Sequence, residues 1–149
     1  MLTIEAGMPV HYPTLLKIWE SSVRATHDFL PEEEIQALRP LLENLYFPGV
    51  TLSMARLVAG GAIVGFVGVS EKRIEMLFVD AAQRGKGIGK ALLHHAIVQQ
   101  GADELDVNEQ NPQAVSFYQQ QGFKVVGRSE QDGQGRPYPL LHMKLQRMK

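Results

Sequence analysis

Residues 83–90, Gln-Arg-Gly-Lys-Gly-Ile-Gly-Lys, lie between an apolar run at 74–79 and a segment of helical periodicity at 88–99. A strand, a glycine-rich turn and a helix start in that order make a site for an anion. The first N–H groups of a helix have no intrahelical acceptor, and the dipole there favours negative charge. Gly85, Gly87 and Gly89 let the chain curl tightly and let a ligand reach the backbone with no Cβ in the way. Arg84, Lys86 and Lys90 add positive charge. The stretch reads as a cradle for a phosphorylated ligand. A dinucleotide fingerprint starting at Gly85 would need glycine or alanine at Lys90. A P-loop ending at Gly89 and Lys90 would need glycine at Arg84 and a hydroxyl at Ala91. Both patterns fail, and what remains is R-x-x-G-x-G in Arg84, Gly87 and Gly89.

At 149 residues the chain is expected to be one domain, 1–149, with a core of its own. It is 44% hydrophobic and 21% charged, as in an ordinary soluble globular protein. The formal net charge of −1 gives no sign of a nucleic-acid or anionic-membrane partner. Cysteine is absent, which excludes disulfides, thiolate zinc and a cysteine nucleophile, and fits a reducing cytoplasm. The start of the sequence has no basic n-region or apolar h-region, so no secretory signal is visible. No apolar run approaches the roughly 20 residues that span a bilayer. A cytoplasmic location and no membrane partner are expected.

Residues 2–4 predict a short strand, and Pro13 opens a helix with Leu15, Leu16, Trp19 and Val23 at helical spacing. A second helix opens at Pro31 with Glu32, Glu33 and Glu34 in its first turn, and Pro40 should kink or end it early. Residues 51–58, 62–70 and 73–80 predict a meander of antiparallel strands. A helix from Ile88 closes at Gly101, and 103–107 is a short strand. Asn111-Pro112 starts a further helix that Gly122 ends. Residues 124–128 and 138–145 are the last strands. The order predicts a mixed α/β domain with a mostly antiparallel central sheet flanked by helices.

The R-x-x-G-x-G loop resembles the signature loop of the GNAT family of acyl-CoA-dependent N-acetyltransferases. Residues 108–123 resemble that family's second motif, with Asn111, Ala114, Phe117, Tyr118, Gly122 and Phe123 falling as expected. Residues 22–30 and the end GRPYPLL resemble small bacterial members. The resemblance covers most of the chain and implies the GNAT fold, with acetyl-CoA as co-substrate and no metal.

The resemblance implies that Arg84, Gly85, Lys86, Gly87, Ile88, Gly89 and Lys90 bind the coenzyme A pyrophosphate. It places Leu77, Phe78 and Val79 beside the pantetheine arm, with Asn108, Asn111 and Phe117 as further cofactor contacts. Asn111 is equally explained as a helix N-cap. Tyr118 is the implied general acid for the departing thiolate; an aromatic on a helix's apolar face also reads as core. Glu75 interrupts an apolar strand, where glutamate is disfavoured, and is the candidate base. Buried, its carboxyl would be shifted towards neutrality; a solvated glutamate is the competing reading. His27 and Asp28 are fallback proton acceptors. The first helices imply an acceptor side with Trp19, His27 and Phe29, although core packing also explains Trp19. The adjacent His94 and His95 lack metal-ligand spacing.

The leading expectation is transfer of acetyl from acetyl-CoA to a primary amine of a small molecule or peptide, by direct attack in a ternary complex. The competing expectations are a non-catalytic acyl-CoA-binding module and a nucleotide-binding protein of another fold. Ala91 counts against the last. The acceptor's identity has no signature in the sequence, and neither has oligomeric state: a homodimer is left open.

Overall fold

The computed structural model describes residues 2–26, 30–58, 61–133 and 135–146. Among them are seven strands and four α-helices: β1 Leu2–Ala6, α1 Tyr12–Thr26, α2 Glu32–Leu41, β2 Thr51–Leu57, β3 Ile63–Ser70, β4 Arg73–Val79, α3 Ile88–Gln100, β5 Glu104–Asn108, α4 Pro112–Gln120, β6 Phe123–Ser129 and β7 Leu140–Leu145. The chain divides into two compact units, 1–102 and 103–149.

In the first unit β1 to β4 form an antiparallel meander, each strand pairing with the next. The β3–β4 turn needs positive φ at both central residues to match strand twist, and Glu71 (φ 49°) and Lys72 (φ 71°) supply it. Leu15, Trp19 and Val23 recur on one face of α1 and pack with Ile35, Phe47, Met54 and Phe66 as the core of this unit.

The α-helical part of α2 stops at Leu41, one residue past Pro40, and the chain continues as a π-helical turn, Leu42–Tyr46. Proline has no N–H for the preceding turn, and beyond it the hydrogen bonding widens, with the Phe47 N–H donating to Leu42 O at 2.8 Å. The result sends Leu42 into the core while Leu45 stays 58% exposed.

The second unit pairs β7 with β5 on one side and β6 on the other, both antiparallel. Asn111 caps α4, its Oδ1 accepting the Ala114 N–H at 3.3 Å, and Pro112 follows at the first turn. Leu105, Val107, Phe123 and Met143 are the buried apolar positions of its strands.

Candidate active site

The loop after β4 is held at its root before it reaches the glycines. Asp80 Oδ1 accepts the Ala82 N–H at 3.0 Å and caps a short 3-10 turn, Ala81–Gln83. Ser21 on α1 donates its hydroxyl to Asp80 Oδ1 at 3.3 Å and accepts the Ala81 N–H at 3.1 Å. Sequence reasoning missed this pair. Asp80 stood where a cap follows a strand, but nothing local linked it to Ser21.

Gly85 and Gly87 both adopt φ 80°, and a Cβ at either would meet nothing within 4 Å. They are glycines for backbone conformation, not for space. A non-glycine in this region costs roughly 1–2 kcal/mol. Gly87 is the N-cap of α3, whose first intrahelical bond is the Ala91 N–H to Gly87 O at 3.0 Å. The N–H groups of Ile88, Gly89 and Lys90 precede that bond and open the helix N-terminus to an anion. Lys86 Nζ donates to Gln83 Oε1 at 3.0 Å and stays exposed with Arg84 and Lys90.

Gly65 fixes where that helix end sits. It pairs with Val79 at the end of β4, and a Cβ there would lie 3.0 Å from Phe78 O, 3.1 Å from Leu92 Cδ1 and 3.2 Å from Ile88 Cγ2. A bare backbone at Gly65 lets α3 lie close on the sheet. Leu77, Phe78 and Val79 are half-buried there, and Phe78 packs on Phe66 at 5.8 Å between ring centroids.

Glu75 projects from β4 with its side chain 42% exposed, 3.7 Å from the Arg73 guanidinium. Of the two readings the sequence left open, buried or solvated, the exposed one holds. Glu75 instead borders a cleft of about 520 Å³ whose walls include Leu42, Leu45, Tyr46, Val50 and Met76. Sequence reasoning gave these lining residues no role; the π-helical turn sends Leu42 into the core and leaves Leu45 exposed on the cleft. Trp19 is 4% exposed within the core cluster, so packing accounts for it. His27, Asp28 and Phe29 lie outside the described residues.

In the second unit Tyr118 is 9% exposed, its ring edge-on to Phe117 at 5.2 Å and to Phe123 at 6.0 Å. Burial pushes its phenol up, so the hydroxyl keeps its proton at neutral pH. Phe117 borders an open groove of about 410 Å³ with Pro112, Gln113, Ser116 and Gln120. Asn108 Oδ1 accepts the Gln110 N–H at 2.9 Å, so both asparagine oxygens serve the β5–α4 turn. No group of three or more His, Asp or Glu placed to hold a metal occurs among the described residues. No helix among them is long and apolar enough to cross a membrane.

The family model for the acetyltransferase (GNAT) domain matches residues 50–147. The chain is 43% identical over 143 residues to the peptidyl-lysine N-acetyltransferase YjaB of Salmonella typhimurium, covering 96% of this chain and 97% of that one. It is 30% identical over 121 residues to the peptidyl-lysine N-acetyltransferase YiaC of Escherichia coli, covering 80% and 82%. The solution structure of apo YjaB from Escherichia coli superposes with a TM-score of 0.87 at 39% identity over 97% of each chain. A PaiA N-acetyltransferase from Thermoplasma acidophilum, crystallised with coenzyme A, shares the fold: TM-score 0.74 at 21% identity, over 97% of this chain and 99% of that one. The glycine loop at the head of α3 and the capped helix from Asn111 thus sit in a chain whose mixed α/β fold and sequence agree, and it belongs to the GNAT acetyltransferase family.

Proposed function

We propose that the chain transfers the acetyl group of acetyl-CoA to the ε-amine of a lysine in a protein or peptide, by direct attack within a ternary complex. The observation that carries the donor half is the loop itself, with Gly85 and Gly87 at φ 80° opening the N-terminus of α3. The pyrophosphate of the coenzyme fits that end by charge and by hydrogen-bond direction. Arg84, Lys86 and Lys90 add to it, and on this reading residues 77–79, Asn108, Asn111 and Phe117 are the further contacts. Lysine as acceptor is supported by the 43% identity to a peptidyl-lysine enzyme over nearly the whole of both chains. The cleft beside Glu75 fits the same acceptor: apolar walls suit a methylene stem, and a carboxylate suits an ammonium.

The lysine must shed a proton to become a nucleophile, and Glu75 takes it directly or through water. The neutral nitrogen attacks the thioester carbonyl carbon, the carbon–sulfur bond breaks, and the electron pair leaves on sulfur. Tyr118 donates to that sulfur as the second amine proton departs to solvent. Because burial raises the phenol, full ionisation of Tyr118 is uphill, and its main contribution is a hydrogen bond to the developing thiolate. Holding both substrates together supplies more, about 7–11 kcal/mol of the barrier. With no cysteine in the chain, no acyl-cysteine intermediate forms. We also read residues 1–149 as one functional domain, since neither unit alone carries both the donor loop and Tyr118.

Thiol release from acetyl-CoA across a panel of lysine peptides, peptide N-termini and small amines tests the proposal. Release with lysine peptides is expected. Calorimetric binding of acetyl-CoA with no product across the panel would make the chain a non-catalytic acyl-CoA-binding module.

A further inference from the structure

The second unit carries a line of polar side chains that the acetyl-transfer reading leaves unused, and strand register assembles it. On one side of β7, His142 pairs with Asp106 of β5. On the other, a register shift between Val125 and Gly127 brings Gly127 of β6 opposite His142. A Cβ at Gly127 would come 3.3 Å from the imidazole Cδ2, so glycine there leaves the ring room to lie across the strand. His142 Nδ1 is 2.6 Å from Asp106 Oδ1, and His142 Nε2 is 2.7 Å from Ser129 Oγ. Alternation turns Leu105, Val107 and Met143 to the buried face and leaves Asp106, His142 and Ser129 on the other. The His142 and Asp106 side chains are 35% and 33% exposed, within reach of a small molecule.

The two contacts order the protons. A carboxylate only accepts, so in the neutral imidazole the hydrogen sits on Nδ1 and donates to Asp106. The Nε2 lone pair then faces Ser129, whose hydroxyl donates to it. Nucleophile, base and orienting carboxylate stand in the sequence used for acyl transfer by activated serines. A cross-strand ladder formed only for stability gains from each pair separately and does not require the three groups to stand in this order.

From this geometry we propose that Ser129 is an acyl-accepting nucleophile, activated by His142, that takes a small acyl group from an activated ester or thioester. Ser129 Oγ attacks the carbonyl carbon while its proton passes to His142 Nε2. The bond to the leaving oxygen or sulfur breaks, and the leaving group takes that proton from His142, giving acyl-Ser129 and a free alcohol or thiol. Water then attacks the ester with the same base and releases the carboxylic acid and Ser129. Proton transfer by a positioned base supplies typically about 10²–10⁴-fold, which suits donors with a good leaving group. Asp106 is a positioning residue that holds the tautomer.

The probe is p-nitrophenyl acetate with the full chain, which keeps the test separate from the coenzyme A site. A burst of nitrophenol equal to the enzyme concentration is expected, with one acetyl group mapped by peptide mass spectrometry to Ser129. Ser129→Ala should abolish the burst and the adduct, and Ser129→Thr should restore part of both. His142→Gln should slow acylation about 100-fold or more. Asp106→Asn admits the opposite tautomer; it should slow acylation and displace the pH profile of the burst, with the thermal midpoint kept. An unchanged burst in Ser129→Ala, or acetyl found only on lysines, His142 or the N-terminus, overturns the proposal. If His142→Gln lowers the thermal midpoint, the Ser129→Ala result decides alone.

Discussion

The loop from Arg84 to Lys90 and the cleft beside Glu75 belong to the same unit but are made by different means. The loop is a backbone device: two glycines at φ 80°, a helix N-terminus, and a root tied by Asp80 and Ser21. The cleft is a side-chain device, walled by Leu42, Leu45, Tyr46, Val50 and Met76 where the π-helical turn faces β4. A backbone device tolerates surface change and fails when a Cβ forbids its conformation. A side-chain device tolerates backbone-neutral change and fails when its lining alters. On the proposed reading the first sets affinity for the donor and the second affinity for the acceptor, so substitutions should separate the two.

The largest effect is expected at the proposed chemical step, which belongs to neither device. Tyr118→Phe should lower kcat by about 100-fold or more, at the low end of proton-transfer contributions, with acetyl-CoA affinity retained. Unchanged turnover would remove Tyr118 from the mechanism. Steady-state kinetics with a lysine peptide, paired with calorimetry, reads both quantities. Glu75→Gln should reduce kcat/KM for the peptide by about 100-fold and leave acetyl-CoA binding unchanged. A still smaller change is expected at Gly87: a Val there carries roughly 1–2 kcal/mol of left-handed strain and should weaken acetyl-CoA about 10-fold without altering KM for the peptide. Conversely Leu45→Lys, at an exposed position, should raise the peptide KM several-fold and leave acetyl-CoA binding alone.

The smallest effect concerns the fold around α1 and α2. Arg24 makes a bidentate contact to Glu32 at 2.7 and 2.8 Å, and Gln36 Nε2 donates to the same carboxylate. Those hydrogen bonds, Arg24 first, hold the Glu32 carboxyl at about 2, below its ordinary 4.5. A depressed carboxyl stabilises the fold above its unfolded value and loses that contribution as pH falls through its folded one. The thermal midpoints of the wild type and Glu32→Gln should therefore differ most above about pH 4.5 and converge towards pH 2. Both side chains are exposed, so the gap should be small and shrink with salt.

The same contrast explains what could be read in the sequence. Gly85, Gly87, the apolar run before them and the Asn111-Pro112 helix start are local signals, and each forms the element expected. The meander and its β3–β4 turn were legible for the same reason. The local effect of Pro40 was legible, since the α-helix stops one residue beyond it, but the π-turn that follows was not, because it depends on Leu38, Leu42 and Phe47 packing with the core. Glu75 was left between a buried and a solvated reading by its apolar neighbours, and strand alternation decides it, pointing Glu75 outward while Ile74 and Met76 point in. Ser21 reaches Asp80 across 59 residues of sequence. The Ser129, His142 and Asp106 line depends on a one-residue register shift at Gly127, and composition carries no trace of that.

The most direct test of the acetyl-transfer account uses one peptide that offers both a free N-terminal amine and an internal lysine. After reaction with acetyl-CoA, fragmentation mass spectrometry locates the acetyl group. The account predicts acetyl on the lysine ε-nitrogen, formed about 100-fold more slowly with Glu75→Gln. Acetyl confined to the N-terminal amine, or no transfer to either amine while acetyl-CoA binds, would contradict it.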